Sequence, residues 1–175
     1  MDVVVGYDMT SGGSDALKGA LALSRAHGGL ALGIVHVVTQ QDLDKTGELF
    51  RDDKRRAALE ALYPVLWKRV GDEVDESNLG EPEMDVIVRF APVHLVQSQT
   101  RIARELVQVA IDQGASRIVL GRAGRPGSVS EWLLERCELE SSPEEAPPRS
   151  LVLRVDPARL DVEPSTTFST SPNDG

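Results

Sequence analysis

The sequence predicts an α/β fold, a doubly wound sheet of five parallel strands with helices on both faces. Three observations predict it. Short apolar runs alternate with segments of helical periodicity along the chain, in the order βαβαβαβαβ. The apolar runs are dense in Val, Ile and Leu, the composition of strands covered on both faces. Glycines close several of the segments, at Gly28 and Gly29, at Gly114 and at Gly121. Strands alternating with helices give a parallel sheet with right-handed crossovers.

The bulk composition sets the frame. The chain has 175 residues, which suits one domain over 1–156 and a disordered tail over 157–175. Hydrophobic residues make up 41% but aromatics only 4%, so the core must be aliphatic. A net charge of −9 argues against general affinity for nucleic acid or anionic membrane. A single anionic ligand stays compatible with it, because a local nest of N–H groups outweighs a distant net charge. The one cysteine, Cys137, excludes an intrachain disulfide and falls on an apolar helical face, where a buried, inert thiol is expected. Met1 and Asp2 run straight into a strand pattern without a secretory signal, and no apolar run approaches a membrane span. A cytoplasmic protein is expected.

Taken in order, Val3–Tyr7 (VVVGY) is the first strand, with Asp8 at its C-terminal end. Met9–Gly13 reads as a loop and Ser14 as the N-cap of a helix carrying Ala16, Ala20 and Leu23. Leu30–Val38 is the second strand. Leu49–Val70 is a long helix that Pro64 should kink or divide. Gly71–Asp85 holds seven acidic residues and no basic one, and reads as a solvated connection. Met84–Phe90 is the third strand. Thr100 is the expected cap of a helix with Ile102, Leu106 and Val109 on its inner face. The acidic, proline-bearing Glu138–Arg149 is a loop, and Leu151–Val155 (LVLRV) is the fifth strand. The residues from Pro164 onward are too polar to bury.

The most informative stretch is Ile118–Ser130, IVLGRAGRPGSVS. An apolar strand ends at Gly121, Gly124 and Gly127 follow, and Ser128 opens a helix with Val129, Trp132, Leu133 and Cys137 on one face. A glycine loop running into a helix N-terminus brings backbone N–H groups and a partial positive charge to one place, which is phosphate-site chemistry. The same residues have a second explanation, because Ser128 and Glu131 form S-x-x-E, a capping box that satisfies the helix without a ligand. Ligands of such sheets bind at the carboxyl ends of the strands where strand order reverses, so Asp8 and the glycine loop would face one crevice.

These pieces together resemble the universal stress protein family. VVVGYD at the start, IVHVV in the second strand, RIVLGRAG at the strand-to-loop junction and GSVSEWLLERC in the last helix carry the resemblance, from about Asp2 to Val155. It implies the strand order 3-2-1-4-5, a homodimer, and an adenine nucleotide in one subset of the family. In that subset the loop is similar to G-x2-G-x9-G-S. Gly121 and Gly124 match its first half, Gly127 and Ser128 its end, but only Arg125 and Pro126 separate Gly124 from Gly127. The resemblance places Asp8 near ribose or adenine and Val37 near adenine. The implied site is therefore Asp8, Val37, Gly121, Gly124, Gly127, Ser128, Val129 and Ser130, holding ATP or a related adenine nucleotide with Mg2+. Two functional classes compete: a nucleotide-dependent stress or signalling switch, and a nucleotide-free dimeric interaction module.

Ser11–Asp15 (SGGSD) also resembles the S-G-G-x-D-S/T loop of ATP pyrophosphatases, but Ala16 replaces the last hydroxyl and Asp8–Thr10 intervene after the strand. No catalytic residue is assigned, and enzymatic activity is expected to be at most weak ATP hydrolysis. His27, His36 and His94 show no metal-type spacing, and His36 reads as a packed or hydrogen-bonded strand residue. At the edge of a 3-2-1-4-5 sheet, Leu151–Val155 would offer unpaired N–H and C=O groups to a second copy, giving a homodimer.

Overall fold

A computed structural model of the chain describes residues 1–39, 52–91, 98–121, 128–140 and 149–160. The expected glycines Gly124 and Gly127, His94 and the polar tail beyond Leu160 lie outside these residues. The strands are β1 (Val3–Gly6), β2 (Leu32–Thr39), β3 (Met84–Ala91), β4 (Arg117–Gly121), β5 (Glu138–Leu139) and β6 (Ser150–Arg154). The helices are α1 (Ser11–Ala26), α2 (Asp52–Ser77), α3 (Ser98–Asp112) and α4 (Val129–Leu134), followed by a 3-10 turn at Pro157–Arg159.

The sheet order is β3-β2-β1-β4-β6-β5. Strands β1 to β4 run parallel to one another, with Val5 opposite both Ile34 and Val119. The strands alternate their side chains between two cores. Val4, Val35, Val37, Ile118 and Leu153 pack under α3 and α4. Val3, Val5, Ile34, Val119 and Val152 pack under α1 and α2. This is the doubly wound α/β fold that the sequence predicts, and its core is aliphatic as the composition required.

The last part of the sheet departs from the expectation of five parallel strands. β6 lies antiparallel to β4, with Val119 opposite Val152, and β5 pairs antiparallel with β6. The crossover through α4 thus ends on β5, and β6 returns between β4 and β5. Burial explains the choice. An inner strand must bury both faces, and Val152 and Leu153 do so at 1% and 0% exposure. Glu138 and Leu139 are exposed and could not fill that position. A strand of two residues, one of them acidic, leaves no periodicity to read, so from sequence Glu138–Arg149 reads as loop alone. The expected edge strand is consequently second from the edge.

Three boundaries also move. α1 starts at Ser11, not after Ser14, because Thr10 is its N-cap and accepts from Gly12 N at 3.2 Å. α3 begins at Ser98, so Thr100 lies in its first turn rather than capping it. α2 continues through Pro64 and on to Ser77, absorbing the first part of the acidic stretch. Leu66, Val70 and Val74 fall at successive i, i+4 positions and are buried, which outweighs the charge of the intervening residues. Beyond Arg154, Val155 and Leu160 are buried in the α3 side of the core.

One contact tests the position of β6. A Cβ placed on Gly19 of α1 would collide with Ser150 Oγ and lie 2.6 Å from Ser150 Cβ. Gly19→Ala should therefore destabilise the chain by about 1–3 kcal/mol, and Ser150→Gly should relieve much of that loss in the double variant. Urea denaturation of the four-member cycle measures both.

Candidate functional site

The C-terminal ends of β1, β2 and β4 open into a cleft of about 770 Å3. Its position is dictated by topology: β1 is flanked by β2 and β4, and the chain leaves it toward opposite faces. Asp8, Val37, Gly121, Ser128, Val129 and Ser130 all line it. Six of the eight residues expected from sequence are thus brought together, and the other two, Gly124 and Gly127, lie in the connection outside the described residues.

Asp8 is held by its own neighbours. Its Oδ1 accepts from Thr10 N at 3.0 Å, Thr10 Oγ1 at 2.6 Å and Gly13 N at 3.1 Å. Met9 takes a positive φ of 60° to bring the chain round. The carboxylate therefore sits over the N-terminus of α1, where the helix dipole favours it. Its other oxygen makes no hydrogen bond among the described residues, and the residue is exposed to the cleft.

The glycines of SGGSD are accounted for by this packing. A Cβ on Gly13 would lie 2.8 Å from Asp8 Oδ1 and 2.9 Å from Asp8 N. Gly12 presents its carbonyl to Gly121, and a Cβ on Gly121 would overlap that oxygen. Ser11–Gly13 form the first turn of α1 rather than an open loop, and the N–H groups of Gly12, Gly13 and Ser14 are all engaged by Thr10 and Asp8. On the other wall Ser128 caps α4, accepting from Glu131 N at 3.2 Å, and its Oγ lies 2.9 Å from Ser130 Oγ. The capping half of the S-x-x-E reading is thus present.

Sequence reasoning missed the participation of Tyr7 and Thr10, whereas His36 is the hydrogen-bonded strand residue that the sequence predicts. His36 Nδ1 lies 2.7 Å from Tyr7 O, and since a carbonyl only accepts, Nδ1 is the protonated nitrogen. This hydrogen bond ties β2 to β1 one step past the last backbone rung, Tyr7 N to Val35 O at 2.9 Å. The hydroxyl of Tyr7 donates to Glu73 Oε1 at 2.6 Å and fastens α2 to the same strand end. Burial first, and the Glu73 carboxylate second, push the Tyr7 phenol well above its ordinary value, so it stays protonated. Ile102, Leu106, Leu120 and Val129 give the cleft an apolar floor, with Ala58 and Leu62 of α2 over the other side. Their signal in sequence is only position, at helix starts and strand ends. Cys137 is buried and burial raises its thiol pKa, in keeping with an inert side chain. Among the described residues no cluster of His, Cys, Asp or Glu could hold a metal ion, and no helix is long and apolar enough to cross a membrane.

No protein-family model and no curated relative matches the chain. Among solved structures, it is similar to the hypothetical protein MJ0577, whose structure served a structure-based assignment of biochemical function, with a TM-score of 0.52 and 14% identity. That match covers 77% of this chain and 89% of the other. A second similar structure is the hypothetical protein PH0823, at TM-score 0.39 and 19% identity over 66% and 73% of the two chains. The first likeness shows the fold, an α/β domain, in agreement with the fold that the resemblance read from sequence implies.

The cleft makes three substitutions informative. Asp8→Ala should cost about 1–2 kcal/mol by uncapping α1, whereas Asp8→Asn keeps the Oδ1 acceptor and should cost clearly less. Gly121→Ala meets backbone rather than a yielding side chain and should cost about 2–3 kcal/mol. Thermal and urea unfolding of the three variants would rank them, and equal losses for Asp8→Ala and Asp8→Asn would refute the capping role.

Proposed function

We propose that the chain is a stress-response or signalling domain of universal stress protein type that binds ATP or a related adenine nucleotide across the C-terminal end of the sheet. The observation that carries this reading is the convergence of Asp8, Val37, Gly121 and Ser128–Ser130 on one cleft at the point where strand order reverses. The residues fit an adenine nucleoside. The backbone of Val35 faces β1, since its carbonyl accepts from Tyr7 N. By strand alternation Val37 faces the same way, beyond the place where β1 turns off at Asp8. Its N–H and C=O together match the N1 acceptor and N6 donor of adenine, while Leu106, Ile102 and Val129 offer apolar surface to the ring. The second oxygen of Asp8 suits a ribose hydroxyl. Phosphates would then lie toward Gly121 and Ser128, and a bound nucleotide would supply the on and off states of a switch. A magnesium ion would arrive with the phosphates, because the described lining offers only one carboxylate.

A second reading, a nucleotide-free interaction module of the same fold, is favoured by one observation. The α1 N–H groups facing the cleft are already satisfied by Asp8 and Thr10. Calorimetry with ATP and magnesium separates the two: heat absent at millimolar nucleotide sinks the switch. Guanine nucleotides, whose donor and acceptor are reversed at the Val37 edge, should bind at least about tenfold more weakly than adenine nucleotides.

A further inference from the structure

We propose that a buried charge cluster between β3 and α3 is a proton-operated switch, in which Arg89 serves Asp112 while Glu105 carries a proton and turns to Glu105 when that proton leaves. Arg89 and Glu105 are the two charged residues that are buried among the described residues, at 9% and 8% exposure. A buried charge is tolerated when it is paired and hydrogen-bonded. Neither is fully served here. Arg89 Nη2 stands 3.6 Å from Asp112 Oδ2, the distance of an ion pair without a hydrogen bond. Arg89 Nε, Glu105 Oε2 and Gln108 Oε1 are buried and make no hydrogen bond among the described residues.

The sequence places these groups together. Arg89 of β3 lies opposite Val37, and its neighbours at two residues' distance, Ile87 and Ala91, pack in the core under α3. Alternation therefore turns Arg89 toward α3. Glu105, Gln108 and Asp112 recur at i, i+3 and i+7, along one flank of that helix. Gln108 Nε2 donates to Asp112 Oδ1 at 2.7 Å and leaves its own carbonyl unused. One guanidinium thus stands between two carboxylates. β1 and β2 present Val4, Val35 and Val37 to this core, and α4 presents Val129 and Leu133. Among the described residues, the charges acting on Glu105 are Arg89 of β3 and, on its own helix, Arg101 and Asp112.

Two arrangements follow. With Glu105 protonated, its neutral carboxyl needs no cation and Arg89 belongs to Asp112. That pairing matters because Asp112 is an anion in the last turn of α3, where the helix dipole disfavours it. With Glu105 ionised, a charge-assisted hydrogen bond from Arg89 Nε becomes the stronger contact, and Asp112 keeps Gln108 alone. Burial pushes the Glu105 carboxyl above its ordinary value, and Arg89 and Arg101 offset this only in part. The folded chain therefore holds this proton more tightly than the unfolded chain. The contribution of Glu105 to stability is full below its ordinary value and is lost as pH rises through the folded one. Ile102 and Leu106 of the same helix form the cleft floor, and Val37 lines the cleft beside Arg89. The shift of Arg89 thus reaches the cleft, whichever ligand the cleft takes.

A carboxyl-carbon NMR titration of the full chain tests this. The Glu105 carboxyl should show its midpoint above those of the exposed carboxylates. The methyls of Ile102 and Leu106 and the Nε–H of Arg89 should titrate with the same midpoint. Asp112→Asn leaves Arg89 to Glu105 and should lower the Glu105 midpoint by about half a pH unit or more. Glu105→Gln should abolish the shared transition at Ile102, Leu106 and Arg89. A Glu105 midpoint among the exposed carboxylates, methyls that do not follow it, or a midpoint unmoved by Asp112→Asn would each overturn the proposal. Should Glu105→Gln fail to fold, the parent and Asp112→Asn decide the matter, since the Asp112 side chain is 41% exposed and its replacement leaves the core intact.

Discussion

The approach of Gly121 to the first turn of α1 is the constraint on which the rest of this structure depends. Because neither Gly12 nor Gly121 has a side chain, the C-terminal end of β4 touches the backbone of the helix that follows β1. That contact sets how far the two strand ends spread, and so sets the cleft. It also fixes where α1 begins, which in turn decides that Thr10 and Asp8, not Ser14, satisfy the orphan N–H groups. The architecture at the cleft follows from close backbone packing first and from any ligand second.

The same economy explains why the helices stay where they are. Tyr7 closes β1 and is tied on one side to His36 through its carbonyl and on the other to Glu73 through its hydroxyl. One buried residue at the end of β1 thus couples that strand to β2 and α2. A buried phenol that donates to a carboxylate is stabilising only while both stay in place. Movement of α2 over the cleft would be felt directly at the Asp8 turn.

Much of this was legible in the sequence, for physical reasons that differ by element. β1, β2 and β4 are buried on both faces, so VVV, IVHVV and IVL announce themselves. α3 shows its inner stripe of Ile102, Leu106 and Val109 plainly. The site was legible as far as it follows from topology, since Asp8, Val37, Gly121 and Ser128 each lie at or near the end of an element. What was not legible was competition between segments. Ser14 and Thr10 are both good caps, and the packing of Gly12 and Gly13 against Gly121 and Asp8 decides between them. The acidic run after Gly71 looks like solvated loop until Val70 and Val74 are seen buried against the sheet. β5 has too few residues to carry a period at all. Its placement depends on the more apolar Leu151–Leu153 winning the inner position.

That outcome sets a timetable for assembly. In a sheet that grows outward from a central strand, each new strand can dock as soon as it is made. Here β5 is synthesised before β6, yet among the described residues its one neighbour in the sheet is β6. Once made, β5 must therefore wait, unpaired, until the chain has been extended to Arg154. Nor can β4 complete its second edge before then. The domain cannot finish its sheet during most of its own translation. A ribosome-bound chain that stops short of Ser150 exposes the apolar edge of β4, and that truncated species is the one in which a chaperone would have most to do.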